Sequence, residues 1–419
     1  MMPPPAPGTA SLWRQGDFRK LWAAETISVF GSQFTLLAIP LIAALTLQAS
    51  PVEMGILAAV DTAPFLLIGL FAGVWVDRLR RRPVLIAADL GRALLLATIP
   101  LAALLGVLSL PQLYLVALGT SVLTVFFDVA YQAYLPALVE RSQLVEGNSK
   151  LEVSRSAAQL AGPGLAGLVV QYLSAPVAIA LDALSFALSA AFLGLIGKPE
   201  ATPDRAGRAS LLVEAREGLA VVFGNRLLWS IAGCTGTWNF FGSLAYALYV
   251  LFAARELQMA PAALGLAFGA GNVGALVGAV AAARLATRFG VGPTIVGSAL
   301  LGGLALLPVP FATPELALPL LLGSGLLGSF TSVTYNVNQV SLRQAITPHR
   351  LQGRMNATMR FVVWGTMPLG GLAGGALGQE LGLRPALLIG VLGSLVAFLW
   401  VFLSPVRRLE RIPATPPEA

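Results

Sequence analysis

The chain has 419 residues, 56% of them hydrophobic and only 11% charged, which excludes a soluble domain, where about a quarter of residues carry charge. Its net charge of +7 is spread over several short polar gaps rather than one face, which speaks for anionic membrane lipid as partner and against nucleic acid. A single cysteine, Cys234, and a single histidine, His349, leave no disulfide within the chain and no Cys/His metal cluster, and no cofactor is expected.

Twelve apolar segments follow one another near 21–47, 54–76, 84–106, 113–136, 151–173, 176–197, 227–252, 263–283, 291–312, 316–341, 356–379 and 384–404. Each is close to the roughly 20 residues that cross a bilayer as a helix. Lysine and arginine concentrate in alternate gaps and their edges, beginning with the N-terminal tail. The other gaps and their edges hold only Arg255 and Arg384. The positive-inside rule then puts both termini and every basic loop in the cytoplasm of a multi-pass cell-membrane protein. The start, Met1-Met2-Pro3-Pro4-Pro5, is neutral and unlike a cleaved signal peptide, so the first segment is expected to persist.

The longest polar gap divides six segments from six. The expected organisation is a disordered cytoplasmic tail (1–17), a six-helix bundle (18–197), a cytoplasmic linker (198–226), a second six-helix bundle (227–405) and a cytoplasmic tail (406–419). In the linker, Leu211, Leu212, Ala215, Leu219 and Val222 recur at helical spacing beside Glu214, Arg216 and Glu217, predicting an amphipathic surface helix. The halves echo each other. Arg155 precedes Pro163 by eight residues, as Arg360 precedes Pro368, and Arg78-Leu79 and Arg82 recur as Arg284-Leu285 and Arg288. Six plus six with weak repetition is a transporter plan with its site at the interface. No Gly-rich loop with Lys followed by Ser or Thr is present, so the chain has no phosphate cradle of its own for ATP.

Ionisable groups inside apolar segments are costly and mark function by default. In chain order the charged ones are Glu25, Asp61, Asp89, Arg92, Asp128, Glu152, Arg155, Asp182 and Arg360, and no acid falls within a second-half segment. Arg92 and Asp128 lie at equal depth on consecutive antiparallel segments, so Arg92 is expected to pair with Asp128 or Asp89. Asp61 has no cation at its depth, which makes it the first candidate for proton coupling, with Glu25 second. Asp182 is expected to bond to neighbouring hydroxyls such as Ser185. Substrate-cavity candidates are Gln33 in the first half and Trp238, Asn239, Asn272, Tyr335, Asn336, Asn338, Gln339 and Trp364 in the second. Aromatic area with a few amides suits a large amphipathic ligand.

Between the second and third segments stand Gly73, Asp77, Arg78, Arg81 and Arg82, spaced as G-x-x-x-D-R-x-x-R-R. With this loop the chain resembles the major facilitator superfamily over about 18–405. The resemblance implies two pseudo-symmetric bundles of six helices and a cytoplasmic latch between them that releases during alternating access. Ala283 replaces the acid in the second copy, which puts a second latch in doubt. Gly162, Pro163, Gly164 and Gly167 resemble the helix-five element of the superfamily's exporters, with Ala166 in place of one glycine. The stretches 127–136, 181–186 and 352–357 resemble the drug/proton antiporter branch that includes macrolide-efflux and enterobactin-exporter proteins. The implied function is export of an amphipathic drug, macrolide-like antibiotic or siderophore in exchange for protons, by a monomer. An importer or facilitator of a small metabolite is the alternative, and a non-transporting scaffold or sensor is the alternative of another class. No nucleophile–base constellation supports an enzyme.

Overall fold

The computed structural model describes residues 11–76, 79–200 and 211–412, without the side chains of 70, 71, 73, 74 and 211–215. Every regular element among them is helical. The first half contains α1 (Gly16–Leu41), α2 (Pro51–Leu67), α3 (Gly69–Val76), α4 (Arg81–Leu104), α5 (Leu110–Leu138), α6 (Leu144–Tyr172) and α7 (Ala175–Gly194). The helix α8 (Leu211–Gly224) precedes the second half, which contains α9 (Arg226–Leu251), α10 (Pro261–Phe289), α11 (Val291–Leu306), α12 (Ala317–Ile346), α13 (His349–Trp364), α14 (Thr366–Leu381), α15 (Leu383–Val396) and α16 (Phe398–Phe402).

Ten helical stretches among the described residues are long and apolar enough to cross a membrane. The other two expected segments behave differently for visible reasons. Segment 54–76 falls on α2 and α3, which are interrupted at Ile68. Segment 151–173 falls on α6, whose first turns carry Glu146, Lys150, Glu152 and Arg155 and so dilute its hydropathy. The amphipathic helix expected in the linker is α8. It lies against α13, with Val222 buried beside Met355 and Met359. Glu217 contacts the Arg354 guanidinium, and a Cβ at Gly218 would stand 2.2 Å from the Thr358 hydroxyl.

The halves meet at one end through a repeated device. α1 and α9 each finish in a π-turn, Ile42–Thr46 and Phe252–Glu256. A left-handed glutamine follows each, Gln48 (φ 53°) and Gln258 (φ 49°), and then a proline opens the next helix, Pro51 or Pro261. One turn on, Gly55 of α2 lies against Gly371 and Gly375 of α14, and Gly265 of α10 lies against Pro163 and Gly167 of α6. A Cβ at Gly55 would come within 2.6 Å of the Gly371 carbonyl oxygen, and one at Gly265 within 2.2 Å of that of Pro163. Small residues let helices approach this closely in lipid, where backbone packing replaces hydrophobic drive. Arg255 adds a bond across the halves, its Nε and Nη2 donating to the Ala44 carbonyl at 3.0 and 2.6 Å. Leu47, Gln48, Pro51 and Gly55 thus recur as Leu257, Gln258, Pro261 and Gly265, a repeat that the sequence reading passed over.

Candidate functional site

At the opposite end the halves part around adjacent cavities. The largest, about 950 Å³, is walled by α5 (Asp128, Tyr131, Gln132), α6 (Asn148, Glu152, Arg155) and Leu276 of α10. Asp128 and Gln132 also wall a 270 Å³ cavity whose far side is Phe65 of α2 and Arg360, Phe361 and Trp364 of α13. Trp364 in turn borders a 330 Å³ cavity in the second half, lined by Thr235, Trp238, Asn239, Tyr335 and Asn336. Shared walls at Asp128, Gln132 and Trp364 set the three side by side, polar to aromatic, from one half to the other. Phe65 and Trp364 meet edge to face across the halves, 6.0 Å between centroids, and the Arg360 guanidinium lies 4.8 Å from the Trp364 ring.

The buried charges of the first half sort themselves differently from the depth argument. Arg92 pairs with Asp89, one turn before it on α4, and is enclosed by the rings of Phe127 (4.3 Å) and Phe186 (4.1 Å). Asp128 is not its partner. Phe127 occupies the face of α5 that meets Arg92, and the next residue, turned by about 100°, is exposed to the cavities without a hydrogen bond or ion pair among the described residues. Glu25 of α1, the second coupling candidate, is not free either. Arg155 of α6 donates to its Oε1 at 3.0 Å, and the arginine side chain continues to the cavity wall. The other oxygen of Glu25 and the nearby buried Tyr131 hydroxyl have no partner among the described residues.

Asp61 lines a separate 110 Å³ cavity at the closed end, between Thr35, Pro40, Met54 and Thr120 of the first half and Tyr246 and Val250 of the second. Its backbone carbonyl accepts from the Ser121 hydroxyl at 2.5 Å, while its carboxylate has no hydrogen bond or ion pair among the described residues. Asp182 accepts from Ser185 at 3.0 Å and also from Thr35, so it is a bonded structural acid between α1 and α7.

Among the cavity candidates, Trp238, Asn239, Tyr335, Asn336 and Trp364 come together in the second-half lobe. There the Asn239 amide donates to the Val363 carbonyl at 3.0 Å, and the Tyr335 hydroxyl lies 2.8 Å from that of Thr235. The remaining amides do other work. Asn338 is buried and donates to the Thr334 carbonyl at 2.9 Å, and Gln339 is buried and donates to Asn336 at 2.8 Å. Asn272 donates across the halves to the Gln159 carbonyl, and Gln33 is packed against Gly162. Of the exporter-type residues, Pro163 and Gly167 form the seam with α10, while Gly164 faces open space.

Asp77 and Arg78 lie outside the described residues, and Gly73 falls within α3. Arg81 and Arg82 tie the start of α4 into the first half. Their backbone N–H groups donate to Glu200 at 2.8 and 3.1 Å, which caps an otherwise unpaired helix end. The Arg82 Nε donates to the Leu193 carbonyl at the end of α7 at 2.9 Å. Charge, lysine and arginine pattern and glycine spacing could be read from sequence, but the Glu25–Arg155 bond and the Glu200 cap join positions with no local signature.

A family model described as transmembrane secretion effector matches residues 8–418. The multidrug efflux pump Tap of Mycolicibacterium fortuitum is 29% identical over 419 residues, spanning 93% of this chain and 96% of the pump. Macrolide efflux protein A of Streptococcus pyogenes is 25% identical over 217 residues, 51% of this chain and 53% of that protein. Among solved structures, a bacterial homologue of the iron transporter ferroportin in its inward-facing state superposes with a TM-score of 0.75 at 18% identity, covering 94% of this chain and 99% of that one. The nucleoside transporter NupG superposes with a TM-score of 0.74 at 13% identity, covering 92% and 98%. At these identities the structural likeness concerns the fold alone.

Proposed function

This chain belongs to the transmembrane secretion effector family of major facilitator transporters, and from that premise we propose that it exports an amphipathic small molecule in exchange for protons. In this reading the chain crosses the cell membrane twelve times as two six-helix bundles, with both termini cytoplasmic. The bundles rock about the path between Asp128 and Trp238. The observation that carries the proposal is the unequal closure of the two ends. Backbone meets backbone at Gly55–Gly371 and Gly265–Pro163, while the other end encloses a cavity of about 950 Å³. One end sealed by separable small-residue contacts and the other open is what one half-cycle of alternating access requires.

The substrate class follows from the walls. A ligand with apolar area suits Trp238, Tyr335 and Trp364, and a polar or charged group suits the Asp128 side. That the relatives are named as multidrug and macrolide efflux proteins supports this class. For coupling we assign the proton to Asp61. Its carboxylate has no partner among the described residues, and its cavity is shared by α2 and α9, which belong to different halves and must separate in the other state. Glu25 is reassigned to holding Arg155 at the cavity wall.

Two measurements test the proposal. Accumulation of antibiotics, dyes and siderophores in cells with and without the protein should fall with it, and an uncoupler should abolish the difference. Single cysteines at Ser50 and Thr313, in a Cys234→Ala background, should react with an impermeant thiol reagent from outside, and those at Lys150 and Arg350 only from the cytoplasm. Labelling of position 50 from the cytoplasm would overturn the orientation and the transport direction with it.

A further inference from the structure

The two halves carry the same arginine and use it differently. Arg155 of α6 and Arg360 of α13 each stand eight residues before a proline, Pro163 and Pro368. In the first half Arg155 donates to Glu25 of α1 at 3.0 Å. Helices α1 and α9 are both 26 residues long and begin at Gly16 and Arg226, so the counterpart of Glu25 is Thr235. The Thr235 hydroxyl donates to the Ile231 carbonyl at 2.9 Å and lies 2.8 Å from that of Tyr335. Arg360 is therefore left without an acid. Its guanidinium lies 4.8 Å from the Trp364 ring and makes no hydrogen bond or ion pair among the described residues.

The first half holds the opposite surplus. Asp128 of α5 has no hydrogen bond or ion pair among the described residues, and the arginine that shares its larger cavity, Arg155, is already taken by Glu25. Asp128 and Arg360 wall one cavity of about 270 Å³, one from each half, and Phe65, Phe361 and Trp364 complete it with aromatic area. Charges at this depth are costly unless answered. A ligand with one charge answers one wall and leaves the other bare. A ligand with both answers both, a carboxylate accepting from two N–H groups of the guanidinium fork and an ammonium donating to the carboxylate.

Resting on the export reading, we propose that the transported compound is a zwitterionic amphiphile, bound with its ammonium group on Asp128, its carboxylate on Arg360 and an aromatic body along Phe65 and Trp364. Arg360 is then the residue that sets specificity for the acidic group. The loss of the acid at position 235 is what frees it for that role.

The test uses the full-length protein in detergent and the fluorescence anisotropy of three related ligands. Ciprofloxacin carries a protonated amine and a carboxylate at opposite ends of a flat ring. Its methyl ester keeps only the amine charge, and its N-acetyl derivative keeps only the carboxylate. Wild type should bind the parent about tenfold more tightly than either derivative, the worth of one charged hydrogen bond. R360Q should weaken the parent and the N-acetyl compound about tenfold and leave the ester unchanged. D128N should weaken the parent and the ester and leave the N-acetyl compound unchanged. The unaffected ligand in each variant shows that the cavity is still folded. No binding of the parent, or equal binding of all three by wild type, would overturn the proposal. So would the same loss for all three ligands in both variants, which would mean that the acid and the guanidinium serve each other across the halves. Uncoupler-sensitive efflux of other compounds alongside such a result would leave the export reading standing, whereas absence of all such efflux would remove that reading itself.

Discussion

On the first-half side, the central path is walled by Asp128, Glu152 and Arg155, with Glu25, Asp89 and Arg92 packed directly behind. On the second-half side it is walled by Trp238, Asn239, Tyr335, Asn336 and Trp364, with Arg360 laid over Trp364 as the cation at the boundary. The two halves nonetheless close the far end with the same turn, the same proline and the same glycine step. A seam of backbone against backbone tolerates no side chain, so its geometry fixes the residues on both sides. A cavity wall has no such constraint, and the two halves have taken different chemistry. The first holds acids with their basic partners, and the second holds apolar area and neutral hydrogen bonds with Arg360 and no acid.

The largest effect should come from breaking the charge store of the first half. Asp89→Asn leaves Arg92 buried without its carboxylate, at a cost of about 3–5 kcal/mol. Folded protein recovered from the membrane should drop sharply, and Arg92→Met in the same chain should restore most of it. Recovery of Asp89→Asn at the wild-type level would mean that the enclosing rings of Phe127 and Phe186 suffice.

The shared seam comes next. Gly265→Ala places a Cβ 2.2 Å from the Pro163 carbonyl oxygen, and relief of that overlap should cost about 1–3 kcal/mol in this state. Cysteine reactivity at positions 50 and 313 should rise as the closed end loosens. Gly164→Ala faces open space and should change neither stability nor reactivity. Equal behaviour of the two variants would remove the seam from the account.

The smallest effect belongs to the neutral wall. Tyr335→Phe removes the 2.8 Å bond to Thr235 and should cost about 1 kcal/mol. It should weaken substrate affinity a few-fold while leaving proton-driven pumping coupled. A coupling defect in Tyr335→Phe would show that the two halves do not divide the labour in this way.

Much of this arrangement was legible in the sequence, and the part that was not has a physical reason. Segment length and the placement of Lys and Arg are one-dimensional properties, and the helices follow the apolar segments with their ends shifted by several residues. Depth along a helix could also be counted, which set Arg92 level with Asp128. Depth says nothing about azimuth, and at about 3.6 residues per turn a single step from Phe127 to Asp128 separates a face packed on Arg92 from one open to the cavity. The Asp89–Arg92 pair, by contrast, follows from i,i+3 spacing alone. Polar residues on α12 illustrate the same limit. Tyr335 and Asn336 line the cavity, while Asn338 and Gln339 are buried on bonds within the helix. The glycine seam was visible as a repeat of Leu-Gln, Pro and Gly in both halves, yet only the fold shows that each copy meets the opposite half.

The claim on which the rest depends is that the first half carries the proton and that Asp61 is its site. The direct measurement is paired transport in proteoliposomes, uphill efflux driven by a pH gradient and downhill exchange of the same substrate, for wild type, Asp61→Asn and Asp128→Asn. We expect Asp61→Asn to abolish uphill efflux while downhill exchange persists, and Asp128→Asn to weaken substrate binding with pumping still coupled. Normal uphill efflux by Asp61→Asn, with uncoupling in Asp128→Asn, would contradict the assignment and move the proton to the cavity wall.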